Sequence, residues 1–188
     1  MQNDLYNLPK EPVKTKFYVV SLNKFAVLSF GTAGLYLTYW FYKQWQTYKE
    51  ANDVQLFPVV RAVFPIFFVY SLFQKLTELY QQKSGKESNV LTKGSFLFIF
   101  VGVLSILFSS FLNAPSPESI PEPNISSALL NLISTPLLCW FCYQAQWFAN
   151  YVCDDINGEQ NNTYNMANYI WLGIGFFVWY AYLDFMIL

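Results

Sequence analysis

The sequence predicts an all-α, polytopic transmembrane helical bundle with about five membrane segments. Three observations carry that reading. First, two long runs are nearly free of charge: Met166 to Leu188 holds only Asp184, and Gly94 to Asn113 holds none. Roughly 20 apolar residues, at about 1.5 Å rise each, cross the roughly 30 Å hydrocarbon core of a bilayer. Second, hydrophobic residues make up 54% of the chain and charged residues 12%, about half the charged share of a soluble domain. Third, aromatic residues reach 21%, with 14 Tyr and 6 Trp, and amphipathic rings of this kind gather at membrane interfaces.

Taken in order, residues 1–24 are polar and carry Lys10, Lys14, Lys16 and Lys24. The apolar run that follows has no small-residue cleavage pattern, so these residues read as an uncleaved cytoplasmic amino-terminal tail. Residues 25–188 then form a single membrane domain. Its first segment, about 25–45, is uncharged from Phe25 to Tyr42, with Lys24 and Lys43 placed to snorkel at its ends. It reads as a simple span. A break at Gly31-Thr32-Ala33-Gly34 into a re-entrant hairpin is the alternative.

The second segment, about 55–80, is ambiguous. Arg61 and Lys75 share a helical face with Phe64, Phe68 and Leu72 between them, and Pro58 and Pro65 disturb the first half. It either spans with both cations snorkelling or lies along the interface, and Lys75 and Glu78 are spaced for a surface pair. A basic loop with Lys83, Lys86 and Lys93 leads to the third segment, 94–113. The proline-rich stretch from Ala114 to Pro123 follows, then the fourth segment, about 125–151, with a kink expected at Pro136. A polar turn beginning at Asp154 precedes the fifth segment, 166–188.

All 11 basic residues precede Gly94. Cytoplasmic loops collect Lys and Arg, so the loop before Gly94 reads as cytoplasmic, the proline loop as external, the Asp154 turn as internal and the carboxyl end as external. Charge bias alone favours three spans, because five would place Lys43 and Lys49 outside.

The chemistry excluded is broad. A net charge of −1 points to no nucleic acid, and the absence of histidine removes the commonest general base and metal ligand. Cys139 and Cys142 form a C-x-x-C with no second pair, so they read as packing residues, and no metal or cofactor is expected. No P-loop, nucleophile elbow or metalloprotease motif is present. The fourth segment carries the most pointed pattern. Asn131, Thr135, Cys139, Cys142, Gln146 and Asn150 step by three or four along one face of about 100°. Lipid offers such groups no partner, so the stripe is a packing seam or the wall of a polar cavity.

Arg61, the only arginine, and Lys75 are candidate lipid-headgroup contacts. Asp184 reads as interfacial. Asn157, Asn161, Asn162, Asn165 and Asn168 read as turn chemistry, with Asn165 placed to cap the last helix. Asn124-Ile125-Ser126 and Asn161-Asn162-Thr163 match the glycosylation pattern, which matters only in a secretory pathway.

Phe17-Tyr18-Val19-Val20-Ser21 with Lys24-Phe25, then Gly31-Thr32-x-Gly34-Leu35-Tyr36-x-x-Tyr39-Trp40-Phe41-Tyr42-Lys43-x-Trp45, resembles a group of small bacterial inner-membrane proteins of unassigned function. Arg61-Ala62-x-Phe64 and Phe67-Phe68-Val69-Tyr70-Ser71-Leu72-Phe73 are similar too. The resemblance covers roughly the first eighty residues. It implies a bacterial cytoplasmic membrane and supplies no site residues.

The expected function is non-enzymatic: an accessory or interaction subunit of a membrane assembly. Its expected partners are membrane lipids and another membrane protein or a second copy of itself. A small transporter or channel lined by the fourth helix is the alternative. A lipid-modifying enzyme using Asp154 or Asp155 with Arg61 is a third possibility.

Overall fold

A computed structural model describes residues 16–112 and 125–187, so the proline-rich loop and most of the amino-terminal tail lie outside the described residues. Among the described residues the chain is all-helical, with seven α-helices and no strand: α1 (Leu22–Gly31), α2 (Leu35–Asn52), α3 (Pro58–Val63), α4 (Pro65–Ser84), α5 (Val90–Leu112), α6 (Ile125–Val152) and α7 (Met166–Ile187). One of them, over Val90–Phe111, is long and apolar enough to cross a membrane. α6 and α7 match it in length, at about 42 and 33 Å, but the polar stripe interrupts the apolar surface of α6.

The simple span expected over Phe25–Tyr42 is instead a helical hairpin, α1 turning into α2. Ala33 (φ 50°) and Gly34 (φ 84°) both take left-handed backbone, which no continuing α-helix accommodates. Thr32 fastens the turn. Its buried hydroxyl donates to Leu28 O (2.7 Å) in the last turn of α1 and accepts from Tyr36 N–H (2.9 Å) in the first turn of α2. In an unbroken helix Phe25 and Trp40 would lie about 22 Å apart along the axis. Their ring centroids are 5.6 Å apart, and Phe25 also meets the Tyr36 ring at 6.1 Å. Phe17, ahead of α1, stacks on Tyr48 near the end of α2 at 5.5 Å. The two ends of the hairpin therefore lie together.

The segment 55–80 is also broken. Pro65 sterically disfavours helical backbone at the residue before it, and Phe64 sits at φ −115°, ψ 58°, ending α3 and leaving Pro65 at the start of α4. Ile66 lies beside Gly102, halfway along α5. From there α4 runs back until Tyr80 packs on Phe148 (4.6 Å) and Lys83 reaches the end of α6. The molecule thus has two helical hairpins, α1–α2 and α3–α4, set against three long helices.

The core fills the space where α1, α2, α4 and α6 converge. Trp40, Trp45, Phe25, Phe73, Leu72, Leu76, Cys139, Cys142 and Ala145 are all fully buried there. By contrast α5 and α7 show long apolar outer faces, with Phe111 77% and Phe177 71% exposed. α7 touches the rest through a narrow crossing. A Cβ on Gly175 would fall on Gly31 O and 2.6 Å from Thr32 Cα. Trp179 Nε1 donates to Phe30 O (2.8 Å) beside that crossing.

Candidate functional site

After a bend at Lys16 and Phe17, residues Tyr18 to Ser21 run extended through the helical core, with Phe17 and Val20 fully buried. Extended backbone inside a bundle leaves donors and acceptors on both edges, and buried peptide groups must find partners. Here side-chain amides take the place of neighbouring strands. On one edge, Tyr18 N–H donates to Gln44 Oε1 (3.1 Å), and Tyr18 O accepts from Gln44 Nε2 (3.1 Å) and Gln146 Nε2 (3.1 Å). Two residues on, Val20 N–H donates to Asn150 Oδ1 (3.4 Å) and Val20 O accepts from Asn150 Nδ2 (2.9 Å). On the other edge, Val19 O accepts from Asn161 Nδ2 (3.1 Å) and Ser21 N–H donates to Asn161 O (3.3 Å). The alternation is that of a β-strand, whose successive residues turn their hydrogen-bonding groups to opposite sides.

The amides also bond to one another. Gln146 Oε1 accepts from Trp40 Nε1 (2.5 Å) and Gln44 Nε2 (3.1 Å), and Gln146 Nε2 donates to Asn150 Oδ1 (2.6 Å). All four side chains are fully buried. A network so completely satisfied is rigid and avoids the cost of an unpaired polar group in a low-dielectric interior.

The predicted stripe on α6 therefore divides. Gln146 and Asn150 belong to the amide clamp, and Cys139 and Cys142 are fully buried free thiols packed beside it. Thr135 is half-buried against the hairpin turn at Gly34. Asn131 lies elsewhere, in an open groove of about 430 Å³ shared with Ser105, Ile106, Ser109 and Ser110 of α5. Just past α6, Cys153 donates through Sγ to Phe17 O (3.6 Å), and burial raises its thiol pKa above the ordinary value.

Lys24 was expected to snorkel. Instead it is buried, donating through Nζ to Asn161 Oδ1 (2.6 Å) and Thr163 O (2.7 Å). Among the described residues no carboxylate pairs with it, and burial lowers its pKa. Tyr18, Gln44, Trp40 and Asn161 complete the clamp, and no pattern in the sequence marks them as a set. Gln44 sits in a polar half of α2, and Asn161 reads from sequence as an ordinary turn residue.

The remaining candidates have structural partners. Asp154 pairs with Lys83 (2.5 Å), whose Nζ also caps α6 at Tyr151 O (2.8 Å) and Val152 O (3.2 Å). Asp155 accepts from Glu159 N–H (2.8 Å) and Gln160 N–H (3.0 Å), closing a 3-10 turn over Glu159–Asn161. Asn165 and Asn168 cap the start of α7 reciprocally, each side chain accepting from the other's N–H at 3.0 Å. Asp184 lies on α7, and nothing of its side chain is described.

Lys75 does not pair with Glu78. Its Nζ stands 4.9 Å over the Tyr48 ring, and Glu78 accepts from Gln74 (3.0 Å). Arg61 stacks on Trp45 at 4.2 Å and on Phe68 at 5.0 Å. Among the described residues no three His, Cys, Asp or Glu side chains gather to hold a metal. No protein-family model matches the chain, and neither a curated protein nor a solved structure matches it.

Proposed function

We propose that this chain is a multi-pass protein of the bacterial cytoplasmic membrane that serves as a non-enzymatic interaction subunit. In this reading α5, α6 and α7 cross the bilayer, and the two hairpins dip in from the cytoplasmic side. Charge supports the orientation: with the first hairpin returning to its starting side, Lys43 and Lys49 stay on the face that holds Lys83 and Lys93.

The observation that carries the function is where the polar groups are spent. Gln44, Gln146, Asn150, Asn161 and Lys24 all bond within the chain. Asp154 and Asp155, the carboxylates considered for chemistry on lipid, close a helix end and a turn. What faces outward is apolar helix, chiefly α5 and the nearly unpacked α7. Such surface suits lipid and helix–helix association, where close packing supplies most of the energy. Purification in mild detergent tests this. A stoichiometric membrane partner or a homo-oligomer is expected, and a monodisperse monomer of 21.9 kDa would sink the proposal.

A small transporter or channel is the second reading, favoured by the hydroxyl-lined groove at Asn131. It predicts that cysteines placed at Asn131 and Gln146 both react with a hydrophilic thiol reagent. The interaction reading predicts reaction at Asn131 alone, because Gln146 is sealed under the extended segment.

A further inference from the structure

We propose that Arg61 and Lys75 form a binding site for the phosphate of an anionic phospholipid, whose acyl chains lie over α3 and the start of α4. The proposal rests on the membrane reading above and adds a ligand to it. The two cations bracket one aromatic rib. Arg61 stacks on Trp45 (4.2 Å), Lys75 stands over Tyr48 (4.9 Å), and the Trp45 and Tyr48 rings meet edge-on at 6.1 Å.

Among the described residues neither cation has a carboxylate partner, since the one ion pair joins Lys83 to Asp154. The carboxylates on the neighbouring helices are already engaged. Glu50 accepts from Gln46 (2.9 Å) and Glu78 from Gln74 (3.0 Å).

The surroundings of Arg61 are lipid-like. Val60, Val63, Phe64 and Phe67 all face outward, at 47%, 57%, 53% and 75% exposure. A guanidinium held among such residues and given no protein anion needs a counter-charge from outside. Stacking on Trp45 uses the face of the guanidinium, while the N–H groups that hydrogen-bond to oxygen lie at its edge. That edge matches two phosphate oxygens at once, which an ammonium does not. Lys75, over the other ring of the Trp45–Tyr48 pair, adds a second positive charge to the same rib, which favours a headgroup of net negative charge over a zwitterionic one.

The test uses the full chain in phosphatidylcholine bilayers, with tryptophan fluorescence quenched by brominated lipids. Brominated phosphatidylglycerol should win over brominated phosphatidylcholine by about fivefold per cation engaged. Arg61→Gln and Lys75→Gln should each reduce the preference, and Arg61→Lys should restore only part of it. Trp45→Phe should remove most of the difference between the two lipids and leave the quenching of lipid-facing tryptophans such as Trp140. Equal quenching by both lipids in wild type would overturn the proposal even if Arg61→Gln fails to fold. So would a preference that survives in a folded Arg61→Gln variant. Loss of the preference to millimolar inorganic phosphate, but not to chloride at matched ionic strength, would overturn the lipid assignment. A protein that does not reconstitute into bilayers at all would instead fail the membrane reading.

Discussion

Gln44 on α2 and Asn150 on α6 grip the same extended segment two residues apart, each offering both halves of its amide to the N–H and C=O of one residue, Tyr18 and Val20 respectively. A primary amide reproduces the donor and acceptor of a backbone peptide. Two such side chains on separate helices can therefore replace a neighbouring strand. This arrangement lets an extended stretch run through a helical interior without leaving its backbone unpaired.

Gln146 is the hub of that clamp, and one of its partners depends on it entirely. Trp40 Nε1 has Gln146 Oε1 as its acceptor, whereas Tyr18 O keeps Gln44 and Asn150 Oδ1 keeps Val20 N–H. Gln146→Leu should therefore destabilise by about 1 to 3 kcal/mol, the cost of one buried unsatisfied donor. Adding Trp40→Phe removes that donor, so the double variant should lose less than the sum of the two single changes. Detergent-titrated unfolding of the four proteins measures the coupling. Strict additivity would show that the indole N–H does not depend on Gln146.

The long helices were legible in the sequence because nothing interrupts them. The run from Gly94 to Asn113 begins four residues after α5 does and ends one residue after it, and the fourth and fifth segments match α6 and α7 to within one residue. The hairpins were harder to read. Ala33 is a strong helix former by composition, and its left-handed backbone is set by the Thr32 bridge rather than by its own preference. The α6 stripe was visible through its period, but its partner was not. A periodic pattern shows which face is polar and not what meets it. Phe17 to Val20 looks like the end of a tail, because no alternation of three residues distinguishes a buried strand from a linker. Lys24 shows the same limit: its acceptors, Asn161 and Thr163, lie more than 130 residues away.

The hairpin changes what a topology experiment should show. The native cysteines are buried, so single introduced cysteines give low background. Ser119→Cys should react with an impermeant thiol reagent applied to intact cells, while Glu159→Cys and Glu50→Cys should react only after permeabilisation. Glu159 is the better probe of its turn than Gly158, where a side chain would strike the backbone of Val20 and Ser21. Labelling of Glu50→Cys from outside would mean that α1 and α2 form a continuous span after all. Labelling of Glu159→Cys but not Ser119→Cys would invert the whole orientation.

Lys24 predicts a pH dependence. It lies at the start of α1, outside the three long helices, and burial lowers its pKa in the folded state. Between the lowered value and the ordinary lysine value, the unfolded chain holds a proton that the folded chain has released. Stability should therefore rise with pH through that window and flatten above it. Lys24→Met should remove this rise and, at neutral pH, leave Asn161 Oδ1 and Thr163 O without their donor. Unfolding midpoints of both proteins from neutral to strongly alkaline pH test the sign. A wild-type curve that falls through the window, while that of Lys24→Met stays flat, would show that the charged ammonium is favoured by its acceptors more than it is disfavoured by burial.

The crossing of α7 over the first hairpin offers a paired substitution on a single helix. A Cβ at Gly175 would meet Gly31 O and the Thr32 backbone, while one at Gly173 has nothing within 4 Å. Valine at either position carries the same helix-propensity change from glycine, so that contribution cancels in the comparison. Gly175→Val should force α7 away from α1, break the bond from Trp179 Nε1 to Phe30 O and destabilise by about 1 to 3 kcal/mol through overpacking. Gly173→Val should be neutral or slightly stabilising. Tryptophan emission should shift in the first variant and not in the second, because only the first moves the indole of Trp179. Comparable stability and spectra for the two variants would mean that α7 does not cross the hairpin at Gly31. Its attachment would then have to come from elsewhere along the helix, where the contacts with α6 are the next candidates.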